Sequence, residues 1–182
     1  MSKPLKIVKL GEKGEEILRK KAAPVKNIKS KKTQELIDSM IETMESLSGV
    51  GIAAPQVSEP LRIFIIHSHP SDRYPNAKEF GPITVINPKI TDLSRRKEKD
   101  REGCLSVPGA RGFIPRHYSL VLDYTTKEGK RKKENFERFL ARIIQHEVDH
   151  LEGYLFPDRV ENKKDLIKEK DYQEMIAKRN NS

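Results

Sequence analysis

The 182-residue chain has no tryptophan and a single cysteine, and it nowhere runs through the roughly 18 to 20 successive apolar residues that spanning a bilayer requires. An internal disulfide and a membrane-spanning helix are both excluded on these grounds. The opening, MSKPLKIVKLGEKG, lacks the apolar centre of a secretory signal and does not resemble an Arg- and Ser-rich transit peptide. The expectation is a cytoplasmic protein, in whose reducing surroundings the lone thiol, Cys104, is a buried filler, a nucleophile or a ligand. With no tryptophan, the core must rest on aliphatic side chains, six Phe and five Tyr. The length suits a single domain covering residues 1–182.

What the chain has in plenty is charge. Charged residues make up 35% of it and the formal net charge is +9, spread over separate clusters: KSKK (29–32), RRKEK (95–99) and KRKK (130–133). Such clusters read as solvated loops and helix faces. The resulting basic surface permits approach to RNA or to a ribosome by counterion release. No aromatic residues are interleaved with the basic ones as a stacking platform, so sequence-specific nucleic-acid recognition is not expected.

The periodicity describes an α+β protein. Residues 33–47 place Leu36, Ile37, Met40, Ile41, Met44 and Leu47 at helical spacing, with Thr33 as N-cap and Gly49 as stop. LRIFII (61–66) and ITVI (83–86) read as strands, and the Pro-, Ser- and Asp-rich run 67–82 between them as a surface loop. GFIPRH, SLVLDYTT and RKKENFER form a second group of strands, the last two joined by a hairpin at Glu128-Gly129. From Phe139 to Leu151 the apolar residues return to helical spacing, and Gly153 falls where a C-terminal cap belongs. A further helix is expected over 162–179, with Leu166, Ile167, Tyr172 and Ile176 on one face. The architecture is thus antiparallel β-sheets packed around a central metal-binding helix, with an additional C-terminal helix.

The chemistry is concentrated in QHEVDHLEG (145–153). His146 and His150, four residues apart on a helix, leave the same face one turn apart and can share a cation, while Glu147 can reach a water bound to it. A catalytic metal site needs a third protein ligand and one open position. The extended H-E-x-x-H-x-x-G-x-x-H pattern fails at Phe156, which stands in place of its last histidine. A thermolysin-like site would recruit Glu169, which lies in the charged run KKDLIKEKD. The remaining candidate is Cys104, within EGCLS, since a thiolate with two imidazoles is a sound donor set for a divalent cation. The third irregular segment, GVGIAAPQ (49–56), brings Gly51, where a substrate backbone can come close, and Gln56, whose amide can donate to an oxyanion. A non-enzymatic alternative, an RNA- or ribosome-binding protein with a structural metal, requires four protein ligands, and only three are evident. His67 and His69 form an H-x-H pair in a Pro- and Ser-rich loop and are not expected to bind a second metal. Asp149 is expected on the helix surface or orienting a ligating histidine, and His117 has no partner visible in the sequence.

Together GVGIAAPQ, EGCLS and QHEVDHLEG resemble the signature runs of the peptide deformylase family, in the family's order and with about its spacing. The resemblance extends through ILRKKAAPV and INPKI to about Val160. It implies that Cys104, His146 and His150 bind the metal with a water as fourth ligand, and that Glu147 is the general base and then the acid. It implies that the Gln56 side chain and the Leu105 N–H hold the formyl oxygen, that Gly51 pairs with the substrate backbone, and that Arg111 shapes the entrance with Glu102. Val50 and Ile143 are placed to line the methionine pocket. The implied activity is hydrolysis of the N-formyl group from the initiator methionine of nascent polypeptides, releasing formate. The family points to ferrous iron, replaceable by nickel, cobalt or zinc, whereas donor softness alone suits zinc.

Overall fold

The computed structural model describes residues 3–70 and 77–180. The first helix, α1 (Lys31–Ser46), begins two residues before the expected start because Ser30, not Thr33, is the N-cap, its Oγ accepting from the Thr33 N–H at 3.2 Å. Strands β1 (Gly51–Ala53), β2 (Ile63–Ser68) and β3 (Phe80–Leu93) follow, then β4 (Lys97–Cys104), β5 (Val107–His117), β6 (Ser119–Thr125) and β7 (Arg131–Glu137). The central helix α2 (Arg138–Glu152), a short strand β8 (Leu166–Lys168) and α3 (Glu169–Asn180) complete the chain. The strands form one antiparallel sheet in the order β1-β2-β3-β6-β7 and a second in the order β4-β5-β8. Among the described residues, no helix is long and apolar enough to cross a membrane.

The larger sheet is covered on both faces, which explains the unbroken apolar run of β2. Phe64 and Ile66 pack with Ile143, Ile144 and Leu151 of α2, while Ile63 and Ile65 turn to Ile37, Met40 and Met44 of α1. α2 therefore lies against the sheet with its histidine-bearing face toward the second sheet. It ends as expected at Gly153, whose φ of +82° is the left-handed conformation that favours glycine. Phe156, which displaced the extended protease pattern in sequence, is a core residue packed with Leu18, Ile114 and Leu155.

Four further expectations are corrected. RRKEK, read as a solvated loop or helix face, is exposed as expected but runs into strand β4. Its first four residues are exposed, so the apolar alternation that betrays a strand is missing there. The tail does not form one helix over 162–179: residues Lys163–Asp165 make a single 3-10 turn, and Leu166 and Ile167 lie in β8, where they bond to the edge of β5. Leu166 is accordingly 42% exposed instead of sharing a face with the buried Tyr172. The β6–β7 hairpin turns through 126–130, wider than a two-residue loop, with Gly129 at positive φ. Of the expected 67–82 loop, His67 and Ser68 belong to β2 and residues 80–82 to β3, while residues 71–76 lie outside the described residues.

Candidate active site and metal centre

Two elements of different sheets and one helix meet at the floor of a cleft of about 680 Å³. β4 ends in Cys104 after a register shift at Glu102, and the chain turns at once into β5 through Leu105 and Ser106. The GVGIAAPQ run supplies β1 and a 3-10 turn at Ala54–Val57 that carries Gln56. The N-terminal segment ties these two loops together, since Val8 N–H donates to the Gln56 carbonyl at 2.8 Å and Leu10 N–H to the Ser106 carbonyl at 2.9 Å. That strap, and the contribution of Leu5 and Ile7 to the cleft wall, carries no motif and was not read from the sequence.

The predicted ligands converge. Cys104 Sγ is 3.3 Å from His150 Nε2, the two imidazole centroids are 5.0 Å apart, and one donor atom from each of Cys104, His146 and His150 lies within 4.8 Å of the others. Donors at about 2.0–2.3 Å from a tetrahedral ion stand roughly 3.3–3.8 Å apart, so this trio fits a single divalent cation with only small adjustment. No other such group of Cys, His, Asp and Glu occurs among the described residues. His67 and His69 touch ring to ring at 5.0 Å but belong to no such group.

Ring orientation is set from behind. His146 Nδ1 is 2.9 Å from Glu102 Oε2, leaving Nε2 toward the cleft. Glu102 is itself buried, accepting a two-point contact from Arg116 (2.8 and 2.9 Å) and a third bond from Arg142 (2.8 Å). Burial alone would raise the Glu102 pKa, but Arg116 and His146 outweigh it and hold the carboxyl well below the usual range. Burial likewise opposes protonation of His146, yet Cys104 and Glu102 raise its pKa well above the ordinary value. Burial and the neighbouring His146 push His150 the other way. A cation bound here would compete with the proton that Cys104 and Glu102 favour on His146.

Glu147 is buried beside the ligands, and its Oε2 has no hydrogen-bond partner. Burial pushes its pKa up to about 7. Gln56 is oriented by its own turn: the Ala53 N–H donates to Oε1 at 2.9 Å, which aims Nε2 at Ser106 Oγ (3.1 Å) and Cys104 Sγ (3.4 Å). Gly51 faces Glu147 so closely that a Cβ would stand 2.3 Å from Oε1. Val50, Leu105 and Ile143 line the same cleft, so all the expected site residues meet there except His150, which lies beneath the floor.

Arg111 and Glu102 both line the cleft, and Arg111 is held there by a two-point contact with Glu169. Glu169 therefore sits on the cleft wall in an ion pair, away from the ligand trio, and the thermolysin-like arrangement is not formed. Asp149 orients no ligating histidine; it is buried between Arg116 and Arg159. His117 does have a partner, the Ser94 carbonyl at 2.6 Å from Nδ1. The roles of Arg116 and Arg142 were missed. One signal existed: Gly112, Ile114 and Arg116 alternate on the inward face of β5, and a buried arginine demands a carboxylate.

The sequence profile of the polypeptide deformylase family matches residues 4–166. The chain belongs to the peptide deformylase family. It is 48% identical over 174 residues to peptide deformylase 2 of Nostoc sp., covering 96% of each chain. The fold superposes on a Met-Ala-Ser-bound class I type b peptide deformylase from Acinetobacter baumannii with a TM-score of 0.84 at 42% identity, over 88% of this chain and all of that one. On a peptide deformylase from Thermotoga maritima the TM-score is 0.76 at 35% identity, covering 87% and 99%. The expected α+β architecture is thus the family's. The deformylase function is removal of the N-formyl group from the N-terminal methionine of newly synthesised polypeptides, and the Cys-His-His cluster provides for a single metal ion.

Proposed function

We propose that Cys104, His146 and His150 hold one divalent cation and that Glu147 performs the proton transfers of deformylation. The observation that carries this reading is the buried Glu147 carboxylate directly beside the three converging donors on the cleft floor. A cation held there supplies Lewis-acid polarisation of the formyl carbonyl and acidifies water. Glu147 takes the proton of the attacking water and then delivers it to the leaving nitrogen. The formyl C–N bond breaks, formate departs with the hydroxyl, and the peptide leaves as a free amine. Burial raises the pKa of this carboxyl and a bound cation would lower it again, and the balance suits a group that both takes and returns a proton.

The growing negative charge on the formyl oxygen is met by Gln56 Nε2 and the Leu105 N–H. Each such donor contributes about 2.7–4 kcal/mol in comparable sites. β1 is an edge strand, and Gly51 offers its backbone to an extended substrate, while Val50 and Ile143 accept the methionine side chain. Met-Ala-Ser, which occupies the Acinetobacter enzyme, represents the product class expected in this cleft.

Family membership supports ferrous iron as the working metal, and the donor set also takes zinc, nickel or cobalt. The whole chain acts as one catalytic domain in the cytoplasm. Its net charge of +9 supports contact with the ribosome, where its substrates emerge. The test is release of formate from formyl-Met-Ala-Ser by protein prepared without oxygen, with the bound metal measured in the same sample. Absence of release by fully metallated protein would refute the assignment.

A further inference from the structure

The Gln56 amide is held at both of its ends. Its Oε1 accepts the Ala53 N–H at 2.9 Å, and because that backbone group can only donate, the oxygen must face it and Nε2 must face the other way. On that side Nε2 donates to Ser106 Oγ at 3.1 Å and lies 3.4 Å from Cys104 Sγ. Gln56 and Ser106 are both buried, so the contact between them is shielded from bulk water.

Ser106 sits at a junction. It directly follows Leu105, whose N–H is the second oxyanion donor of the deformylation reading, in the turn that joins β4 to β5. Its carbonyl accepts the Leu10 N–H, and the Gln56 carbonyl accepts the Val8 N–H, so one strap braces the backbones of both residues. The amide nitrogen carries two hydrogens. With one bonded to Ser106 and Oε1 bonded to Ala53, rotation of the amide plane is blocked, and the second hydrogen is left on the side of the Cys104 ligand.

We propose that Ser106 is a positioning residue: its hydroxyl locks the Gln56 amide to the Leu105 turn, so that the second Nε2 hydrogen and the Leu105 N–H meet the formyl oxygen together. The proposal rests on the deformylation reading above. Without the hydroxyl, the amide keeps its Ala53 bond but can rock about it. Negative charge develops on the formyl oxygen in the transition state, so the loss falls on kcat and not on KM.

The test measures formate release from formyl-Met-Ala-Ser, per bound metal, in wild type, Ser106→Ala, Gln56→Met and the double variant. Ser106→Ala is expected to lower kcat about tenfold, less than the roughly 100- to 1,000-fold typical of removing a donor outright, with KM within about twofold of wild type. In the Gln56→Met background no amide remains to be held, and the same substitution should change kcat by less than about twofold. A loss of equal size in both backgrounds, which a merely structural role would give, overturns the proposal. So does a Ser106→Ala kcat within about twofold of wild type, or a rise in KM in place of the fall in kcat. These results leave deformylation standing, whereas failure of fully metallated wild type to release formate overturns both.

Discussion

His146 Nδ1 stands 2.9 Å from Glu102 Oε2, and the carboxylate that orients this imidazole is itself held by Arg116 and Arg142. The orientation of His146 in the proposed metal centre is thus set by a buried network of charges behind the ring. Replacing Glu102 with Gln leaves an amide that cannot satisfy three positively charged neighbours and loosens His146. We expect cation affinity to fall about 10–100-fold, measured by competition with a chelator.

Arg116 bridges two buried carboxylates, Glu102 at 2.8 Å and Asp149 at 2.6 Å. Arg116→Met leaves Glu102 with only Arg142 and His146, and Asp149 with only the half-exposed Arg159, and should lower unfolding stability by up to about 3–5 kcal/mol in denaturant titrations. The Glu102 pKa is depressed in the fold, so its contribution is fully present above the ordinary value of 4.5 and is lost as pH falls toward the folded pKa. The gap between wild type and variant should therefore hold from pH 5 to pH 8, within about a kcal/mol, and narrow under acid conditions.

Glu147 shows the opposite sign. Burial raises its pKa from 4.5 to about 7, so its stabilising, protonated form is fully populated below 4.5 and is lost as pH rises through about 7. In metal-free protein, Glu147→Gln should match wild type near pH 4.5 and exceed it by up to about 3 kcal/mol at pH 8. Metal loading should shrink that gap, because a nearby cation favours the carboxylate. Thermal or denaturant unfolding across pH, with and without metal, measures both effects.

Gly51→Ala places a methyl group 2.3 Å from Glu147 Oε1 and 3.1 Å from Ile143 Cγ2. The far end of the Glu147 side chain yields more easily than the backbone, so the fold should persist while the proton-transfer group is displaced. A displacement of about 1 Å at a reacting group costs on the order of 100-fold, and we expect a loss of that size in kcat/KM with a circular dichroism spectrum like wild type.

How much of this was legible depended on whether a residue's role is local. The i, i+4 histidines, the adjacent glutamate and the Gly153 cap follow from helix geometry, and β2 was readable because both its faces are buried. Gln56, Cys104 and Leu105 were placed by the three motif runs taken together, since no local rule joins segments some 40 to 50 residues apart. What escaped was long-range and polar. β4 begins with exposed charged residues, β8 is three residues paired to a distant strand, and the Glu102–Arg116–Asp149 lattice depends on register between elements. Arg111 illustrates the limit: its position at the cleft was readable, whereas its partner comes from the C-terminal helix.

The most direct test is formate release from formyl-Met-Ala-Ser by wild type and Glu147→Gln, each with its metal content determined. Equal metal, release by wild type, and loss of at least about 100-fold in kcat for the variant are expected. A Glu147→Gln protein that keeps both its metal and its activity would contradict the role assigned to Glu147.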